Sequence, residues 1–375
     1  MSAASSPLEL AGRRFLRQWG AMAAVAVLTA LAGAVVAAPV VASTLGIDVQ
    51  AVDLLNRFAP PSPAHPLGTD DLGRDVLLRL LEGGRASLLV GLFAALGSGA
   101  LGTLVGLVAG YFGGRADALL MRLTDGLLAL PLLPLLIVLA AIDPAKLGLP
   151  ETLVFSDFAG LARIVIIVSL FGWTTVARLV RAEALRLREE PFVLAARAQG
   201  AGSVRIMTRH ILPNLASPII VATTLAAGNV ILLEAVLSFL GLGIQPPTPS
   251  WGNLLTNAQE LVWTAPTLAI WPGLLILVTV VALNIVGDGL REALDPRGAL
   301  LLGEVLIAVS LPRARALLLL GRFVRALALV ALPVLARAAL LTLADAAKDL
   351  LELLRPRDLD SDPSLLRCHR SPLLV

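Results

Sequence analysis

The sequence predicts an all-α membrane protein in which six helices cross the bilayer. Of its 375 residues, 57% are hydrophobic and only 15% are charged, whereas about a quarter of the residues in a soluble domain are charged. The mean hydropathy is +0.85. Six segments without Asp, Glu, Lys or Arg are long enough, or nearly so, to cross a hydrocarbon core of about 30 Å as a helix.

The six segments are bounded by charged residues. A span needs about 20 residues, and most of the segments are longer than this. They lie between Arg17 and Asp48 (30 residues), Arg85 and Arg115 (29), Asp125 and Asp143 (17), Arg163 and Arg178 (14), Arg209 and Glu234 (24), and Glu260 and Asp288 (27). The fourth is the shortest. Phe158–Ala162 extend it, and both bounding arginines can direct their charged ends outward.

The first segment resembles a secretion signal, because Arg13 and Arg14 precede it and Ala37-Ala38-Pro39 follow. A cleaved signal has a shorter apolar region, of about 7–15 residues. Since five more spans follow, we expect an uncleaved membrane anchor.

Arginine and lysine residues predict the orientation, because they are enriched in cytoplasmic loops. A cytoplasmic N-terminus places 14 of them inside and 6 outside. We therefore expect residues 1–18 to be cytoplasmic, followed by a six-span domain over residues 19–297. An extension, 298–375, completes the chain; it is expected to be amphipathic and then disordered, and no function is assigned to it.

Composition also excludes several classes of protein. The formal net charge is +3 and the arginines are spread over several loops, so we expect no nucleic-acid partner. Cys368 is the only cysteine, which excludes a disulfide framework and a cysteine-rich metal site. We predict no metal, no catalytic residue and no cofactor bound by this chain.

The longest cytoplasmic loop, residues 183–213, is predicted to form a helix, a sharp turn and a second helix. Ala195–Gln199 are strong helix formers, Gly200 can turn the chain, and Ser203 is a suitable N-cap for the second helix. Pro213 and Pro218 mark the start of the fifth span. The alternative is a positively charged linker that only fixes the topology.

Two acidic residues are candidates for the pathway or for polar contacts inside the bundle. Glu234 lies in an apolar run, where an ionisable side chain costs about 2.5–3.5 kcal/mol on insertion scales. It should therefore face protein or water, and a structural partner and a pathway lining remain equally open. Asp125 follows Arg122 by one helical turn, which favours an ion pair within or between helices.

Three further patterns indicate packing and position. Residues 70–82 predict an amphipathic helix on the outer surface, either a structural collar or a receiver of substrate. Gly102, Gly106 and Gly110 form a smooth stripe suited to close helix contact. Trp251 and Trp263 fit the aromatic belt at the membrane interface.

The loop 183–213 resembles the coupling loop of ABC importer permeases. The residues that carry the resemblance are Ala195, Ala196, Arg197, Gly200, Ile211, Leu212 and Pro213. Leu194 replaces the glutamate that usually opens this motif, as in the peptide-permease branch. The resemblance implies that the two helices fit a groove on a cytoplasmic ATPase, with Gly200 as the turn and Ala195 and Ala196 allowing close approach.

Three other stretches resemble the C-type subunit of dipeptide and oligopeptide importers. They are HPLGTDDLGRD at 65–75, EAVLSFLGLGIQPPTPSWG at 234–252 and NIVGDGLREALDPR at 284–297. Together with the coupling loop, they extend the resemblance over about residues 10–297. They imply the six-helix fold of a type I ABC importer permease in a bacterial or archaeal plasma membrane.

The resemblance also implies partners. These are a second permease subunit, two ATPase subunits or domains that use ATP and magnesium, and an extracytoplasmic substrate-binding protein, all working in lipid. The expected cargo is a dipeptide or oligopeptide, with nickel, glutathione or oligosaccharides as alternatives in the same family.

Enzymes and passive channels are the competing classes. The two lysines, Lys146 and Lys348, each follow alanine, so no Gly-Lys-Ser/Thr phosphate loop exists and ATP hydrolysis must come from other chains. No His-Glu-x-x-His or Gly-x-Ser-x-Gly motif indicates a membrane enzyme. A passive channel would not need the coupling loop.

Overall fold

The computed structural model describes residues 7–142, 157–256 and 258–294. Within these ranges the only β contact is an isolated bridge between Thr69 and Asp75, and all other regular elements are helical. The predicted all-α class is therefore confirmed. The extension 298–375, Asp143 and Lys146 lie outside the described residues.

The described part of the chain contains twelve α-helices. They are α1 (Pro7–Leu16), α2 (Trp19–Val36), α3 (Ala38–Leu45), α4 (Val76–Phe112), α5 (Gly114–Ala129), α6 (Leu132–Ala141), α7 (Asp157–Leu187), α8 (Pro191–Ala198), α9 (Ser203–Ile206), α10 (Ala216–Phe239), α11 (Ala258–Leu261) and α12 (Thr267–Leu294). A π turn (Met207–Ile211) and a 3-10 turn (Leu212–Leu215) join α9 to α10.

Five helical segments of the described chain are long and apolar enough to cross a membrane, and a sixth is broken. The five are Trp19–Leu45, Val76–Phe112, Gly160–Leu187, Ser203–Phe239 and Thr267–Leu294. Helices α5 and α6 together form the sixth candidate, and they meet at an angle of 86°. The predicted six spans are thus present if α5 and α6 count as one.

The break between α5 and α6 lies at Leu130 and Pro131. Leu130 has an extended backbone (φ −78°, ψ 139°), as expected for a residue before proline, where the ring disfavours the helical region. The third span is therefore not one straight helix, although its side chains between Asp125 and the end of α6 are uncharged.

The predicted amphipathic helix over residues 70–82 is wrong in its first half. Residues 70–75 form a loop, because Asp70 accepts hydrogen bonds from the backbone N–H groups of Leu72 (2.8 Å) and Arg74 (2.9 Å). Asp75 then caps α4 by accepting from Leu78 N–H at 2.8 Å. Val76–Glu82 are simply the first two turns of the 37-residue α4.

Glycines hold α4 against α7 along one seam. A Cβ atom on Gly102 would lie 2.6 Å from the Trp173 carbonyl oxygen, and one on Gly110 would lie 2.7 Å from Ala184 Cβ. Gly106 meets Val180 in the same way, at 2.9 Å. The predicted role of this stripe in close helix contact is confirmed.

Trp251 belongs to the protein core and not to the aromatic belt. Its side chain is 1% exposed, and its indole N–H donates to the Leu80 carbonyl oxygen at 2.9 Å. Around it pack apolar residues of α4, α10 and α12, among them Val76, Ala235 and Ile276. Trp263, by contrast, is 90% exposed, as the belt prediction requires.

Candidate functional site: the loop between α7 and α10

The loop 183–213 has the predicted helix–turn–helix form. Helix α8 starts with Pro191, whose missing N–H and fixed φ suit the first position of a helix. The turn is made by Gly200, which has a φ of +81°, where glycine has no steric penalty. Ala201 N–H donates to Ala196 O (3.1 Å) and Gly200 N–H to Arg197 O (3.0 Å), which is the Schellman arrangement that ends helices.

The second helix differs from the prediction at its first residue. Ser203 is the first residue of α9 and not its cap, which is Gly202 (φ −68°, ψ 157°) without a side-chain hydrogen bond. Beyond Ile206 the chain stays helical through the π and 3-10 turns into α10. Pro213 lies in the 3-10 turn, where its missing N–H is tolerated.

Buried apolar side chains fix the loop to the ends of α4 and α7. Val193, Ile206 and Ile211 are fully or almost fully buried. They pack in one cluster with Tyr111 of α4 and Ala184 of α7. The loop is therefore packed on the bundle, and whether it does more than fix the topology stays a prediction.

Arg197 adds a polar contact to this cluster. Its guanidinium carbon lies 5.9 Å from the centroid of the Tyr111 ring, within the range of a cation–π contact. Leu212 is half-buried against the same cluster. The predicted coupling residues are thus spread over both helices but attached to one core.

The two predicted alanines take different positions. Ala196 is buried on the side of the cluster, whereas Ala195 faces solvent. Only Ala195 can therefore allow another protein to approach, and the role of Ala196 is to let α8 pack on its own bundle.

Other side chains of the loop are apolar and exposed. Phe192, Leu194 and Val204 are exposed by 41%, 44% and 69%, respectively. Val204 lines a shallow depression together with Gly202, Arg205 and Arg209. Exposed apolar side chains beside charged groups are typical of a surface that binds another protein.

Asp125 lies in an ion pair between helices. Its carboxylate accepts a hydrogen bond from Arg178 of α7, and both side chains are more than half exposed. Asp117, two turns earlier on α5, binds Arg181, with 2.6 Å between Oδ2 and Nη2. These pairs join α5 to α7, so Asp125 contacts the bundle and its proposed place in a pathway stays a prediction.

Glu234 is fully buried and hydrogen-bonded to serines. It accepts from the hydroxyl groups of Ser87 on α4 (2.9 Å) and of Ser238, one turn later on α10 (2.7 Å). The same two hydroxyls accept backbone N–H groups of the following loop, Ser87 from Trp251 (3.2 Å) and Ser238 from Ile244 (3.0 Å). Glu234 therefore joins α4, α10 and the loop after α10, and a pathway role for it stays a prediction.

Sequence reasoning missed the residues that anchor the loop. Tyr111, Val193 and Ile206 bear no motif of their own, and their contacts join residues that are far apart in the chain. One local signal was present, because Val193 and Ala196 are three residues apart and so share a helical face.

The comparisons with known proteins agree with this architecture. Residues 102–300 match the family described as the inner membrane component of binding-protein-dependent transport systems. That match covers more than half of the chain, and the chain belongs to this family of membrane permeases. The predicted family is confirmed.

Individual relatives are similar over most of their length. The chain is 44% identical over 242 residues to the dipeptide transport system permease protein of Alkalihalophilus pseudofirmus, which is 64% of this chain and 75% of that protein. It is 39% identical over 300 residues to a peptide permease protein of Brucella suis, covering 80% and 94%. It is 44% identical over 237 residues to the glutathione transport system permease protein of Pectobacterium atrosepticum, covering 63% and 74%.

Proposed function

We propose that this chain is one of two membrane subunits of an ATP-driven importer of small peptides, and that the loop 183–213 docks on a partner ATPase. The names of the relatives support the peptide cargo. Glutathione is itself a tripeptide, so the relative that transports it fits the same class of cargo.

The observation that carries the proposal is that the loop has both buried and exposed apolar side chains. Val193, Ile206 and Ile211 hold it on α4 and α7. Phe192, Leu194 and Val204 are exposed to solvent. A movement of a docked partner would therefore be passed to α4 and α7 through packed side chains.

The remaining parts of the proposed machine are separate chains. With the N-terminus in the cytoplasm, the loop faces the ATPases, which supply hydrolysis of ATP with magnesium. A second permease subunit completes the pathway, and a binding protein delivers the peptide from outside. The bundle then exposes the pathway to either side in turn.

Substitution of Gly200 tests the docking role. In Gly200→Val, a β-branched residue would have to adopt a φ of +81°, which L-residues avoid at a cost of about 1–2 kcal/mol or more. The helix pair should be misplaced, and peptide-stimulated ATP hydrolysis and uptake by the assembled transporter should fall at least about fivefold.

Gly126→Val is the matched control. Gly126 lies in α5, outside the docking loop, and an added Cβ would meet nothing within 4 Å. Its hydrolysis and uptake should stay near those of the unchanged protein. Normal ATPase association and normal uptake in Gly200→Val would contradict the docking role.

A further inference from the structure

A cavity of about 360 Å³ lies at the end of the bundle opposite the loop 183–213, within the size range of small-molecule sites. The loop before α4, the loop after α10 and the start of α12 form its walls. Its lining includes Asp70, Asp71, Arg74, Arg79, Thr256 and Leu268.

Asp70 is fully used by hydrogen bonds within the protein. It accepts from the backbone N–H groups of Leu72 and Arg74, from Arg74 Nε at 2.8 Å, and from Arg79. A carboxylate has about four lone-pair sites. Asp70 therefore has no capacity for a ligand, and it positions the two guanidinium groups.

Arg79 keeps unused donors beside the cavity. Its side chain is only 11% exposed, and a guanidinium carries five N–H groups. Its Nη1 is bonded to Asp70, and within the described ranges no other hydrogen-bond acceptor is found for the guanidinium. None of its nitrogen atoms is among the buried side-chain atoms without a partner in the described residues. The unbonded N–H groups of Arg79 therefore reach the solvent of the cavity that it lines, where an anion from outside the chain can bind them.

The rest of the cavity suits a short ligand that carries one negative and one positive charge. Asp71 is 38% exposed and is 3.9 Å from Arg74 Nη2, a separation longer than a hydrogen bond, so its oxygens remain available to a cation. The apolar part of the cavity wall is formed by Leu80, Leu254 and Leu268. An arginine that binds a carboxylate through two parallel N–H groups is the strongest such contact in proteins.

We propose that this cavity binds the terminal carboxylate of a small peptide through Arg79, with Asp71 at the amino end. The proposal rests on the peptide cargo given above, and it adds a site on this chain that selects the charged end of that cargo. It uses no residue of the docking loop.

Direct binding to the complete transporter without its binding protein tests the site. Dialanine and dialanine amide, which lacks the carboxylate, are titrated by calorimetry into the assembled complex in lipid nanodiscs. We expect dialanine to bind and the amide to bind at least about tenfold more weakly, since a hydrogen bond to a charged group is lost. Equal binding of the two, or none by dialanine, would show that Arg79 and Asp70 only stabilise the outer loop.

Two variants locate the site. Thr256→Trp places a large side chain at the cavity wall, where the exposed Thr256 hydroxyl makes no hydrogen bond among the described residues. It should weaken dialanine binding at least about tenfold, and it leaves the Arg79–Asp70 pair intact. Thr264→Trp is the control, since Thr264 is also exposed but does not line the cavity. Unchanged binding in Thr256→Trp would overturn the proposal.

A transport measurement separates this proposal from the function on which it rests. Uptake of dialanine into proteoliposomes is measured for the same preparation with its binding protein present. Uptake of dialanine together with equal binding of peptide and amide would contradict the proposed site but support the peptide importer. Selective binding without uptake would support the site but contradict the importer.

Discussion

Glu234 is an acidic side chain inside an apolar helix, stabilised by hydroxyl groups instead of a cation. Ser87 and Ser238 donate to its two carboxylate oxygens. Each serine also accepts a backbone N–H from the loop that follows α10. The carboxylate therefore orders a loop through two intermediates, and loss of either hydroxyl should affect more than one bond.

Ser87→Ala tests this arrangement at the scale of one residue. The substitution removes a donor to Glu234 and an acceptor for Trp251 N–H, both in a fully buried position. We expect the free energy of unfolding to fall by about 1–3 kcal/mol, the cost of buried polar groups without partners. Denaturant unfolding in detergent, followed by tryptophan fluorescence, measures it.

Ser98→Ala is the control for Ser87→Ala. Ser98 lies on the same helix and is also buried, but its hydroxyl has no hydrogen-bond partner in the described structure. Its loss should change stability by no more than about 0.5 kcal/mol. Equal destabilisation by both variants would mean that the hydrogen bonds to Glu234 contribute nothing specific.

At the scale of helices, the seam between α4 and α7 is a close contact whose contribution to stability can be measured. Gly106→Ala would place a methyl group 2.9 Å from Val180 Cβ and 3.0 Å from Arg181 N. We expect a loss of about 1–3 kcal/mol, as for other overpacked cores, and a lower thermal midpoint in detergent.

Gly126→Ala in α5 provides the comparison, because an added Cβ there meets nothing within 4 Å. It should stabilise the helix by about 0.5–1 kcal/mol, since alanine is the better helix former. A Gly106→Ala protein as stable as Gly126→Ala would show that the two helices can separate easily.

The elements that sequence predicts best are those decided by neighbouring residues. The turn at Gly200 follows from glycine after a run of helix formers, and the structure has the positive φ that this implies. The prediction that Ser203 caps the second helix is wrong, because Gly202 has the extended backbone of the cap residue before α9. The prediction for Trp251 is wrong for another reason, since its partner Leu80 is far away in the chain. The prediction of a helix over residues 70–75 is wrong because Asp70 accepts hydrogen bonds from the backbone of Leu72 and Arg74, which forms a loop.

The bend at Leu130 shows a different limit. The spans are predicted from the lengths of segments without charged residues, and the third such segment continues through Pro131 without interruption. The restriction that proline places on the preceding residue is local and visible in the sequence. It predicts a break but not the 86° angle.

At the scale of the whole molecule, orientation in the membrane is the prediction on which the others depend. Single cysteines at Ser203 and Ala64, both exposed, are introduced into a Cys368→Ser protein and treated with a membrane-impermeant thiol reagent in intact spheroplasts. We expect labelling at Ala64→Cys only, because the arginine count places residue 203 inside. Permeabilised cells, in which both should react, are the control, and labelling of residue 203 alone in intact cells would reverse the orientation.

The glycine seam also sets which parts of the bundle can move. The backbones of α4 and α7 are in direct contact at this seam, where the Trp173 carbonyl group and the Ala184 methyl group lie against glycines of α4. In such close packing, a sliding movement of one helix along the other is blocked by steric clashes. We therefore expect α4 and α7 to move together as one rigid body. Helix α4 alone is about 55 Å long for its 37 residues, so a tilt of a few degrees at the docking loop becomes a shift of several ångströms at the opposite cavity.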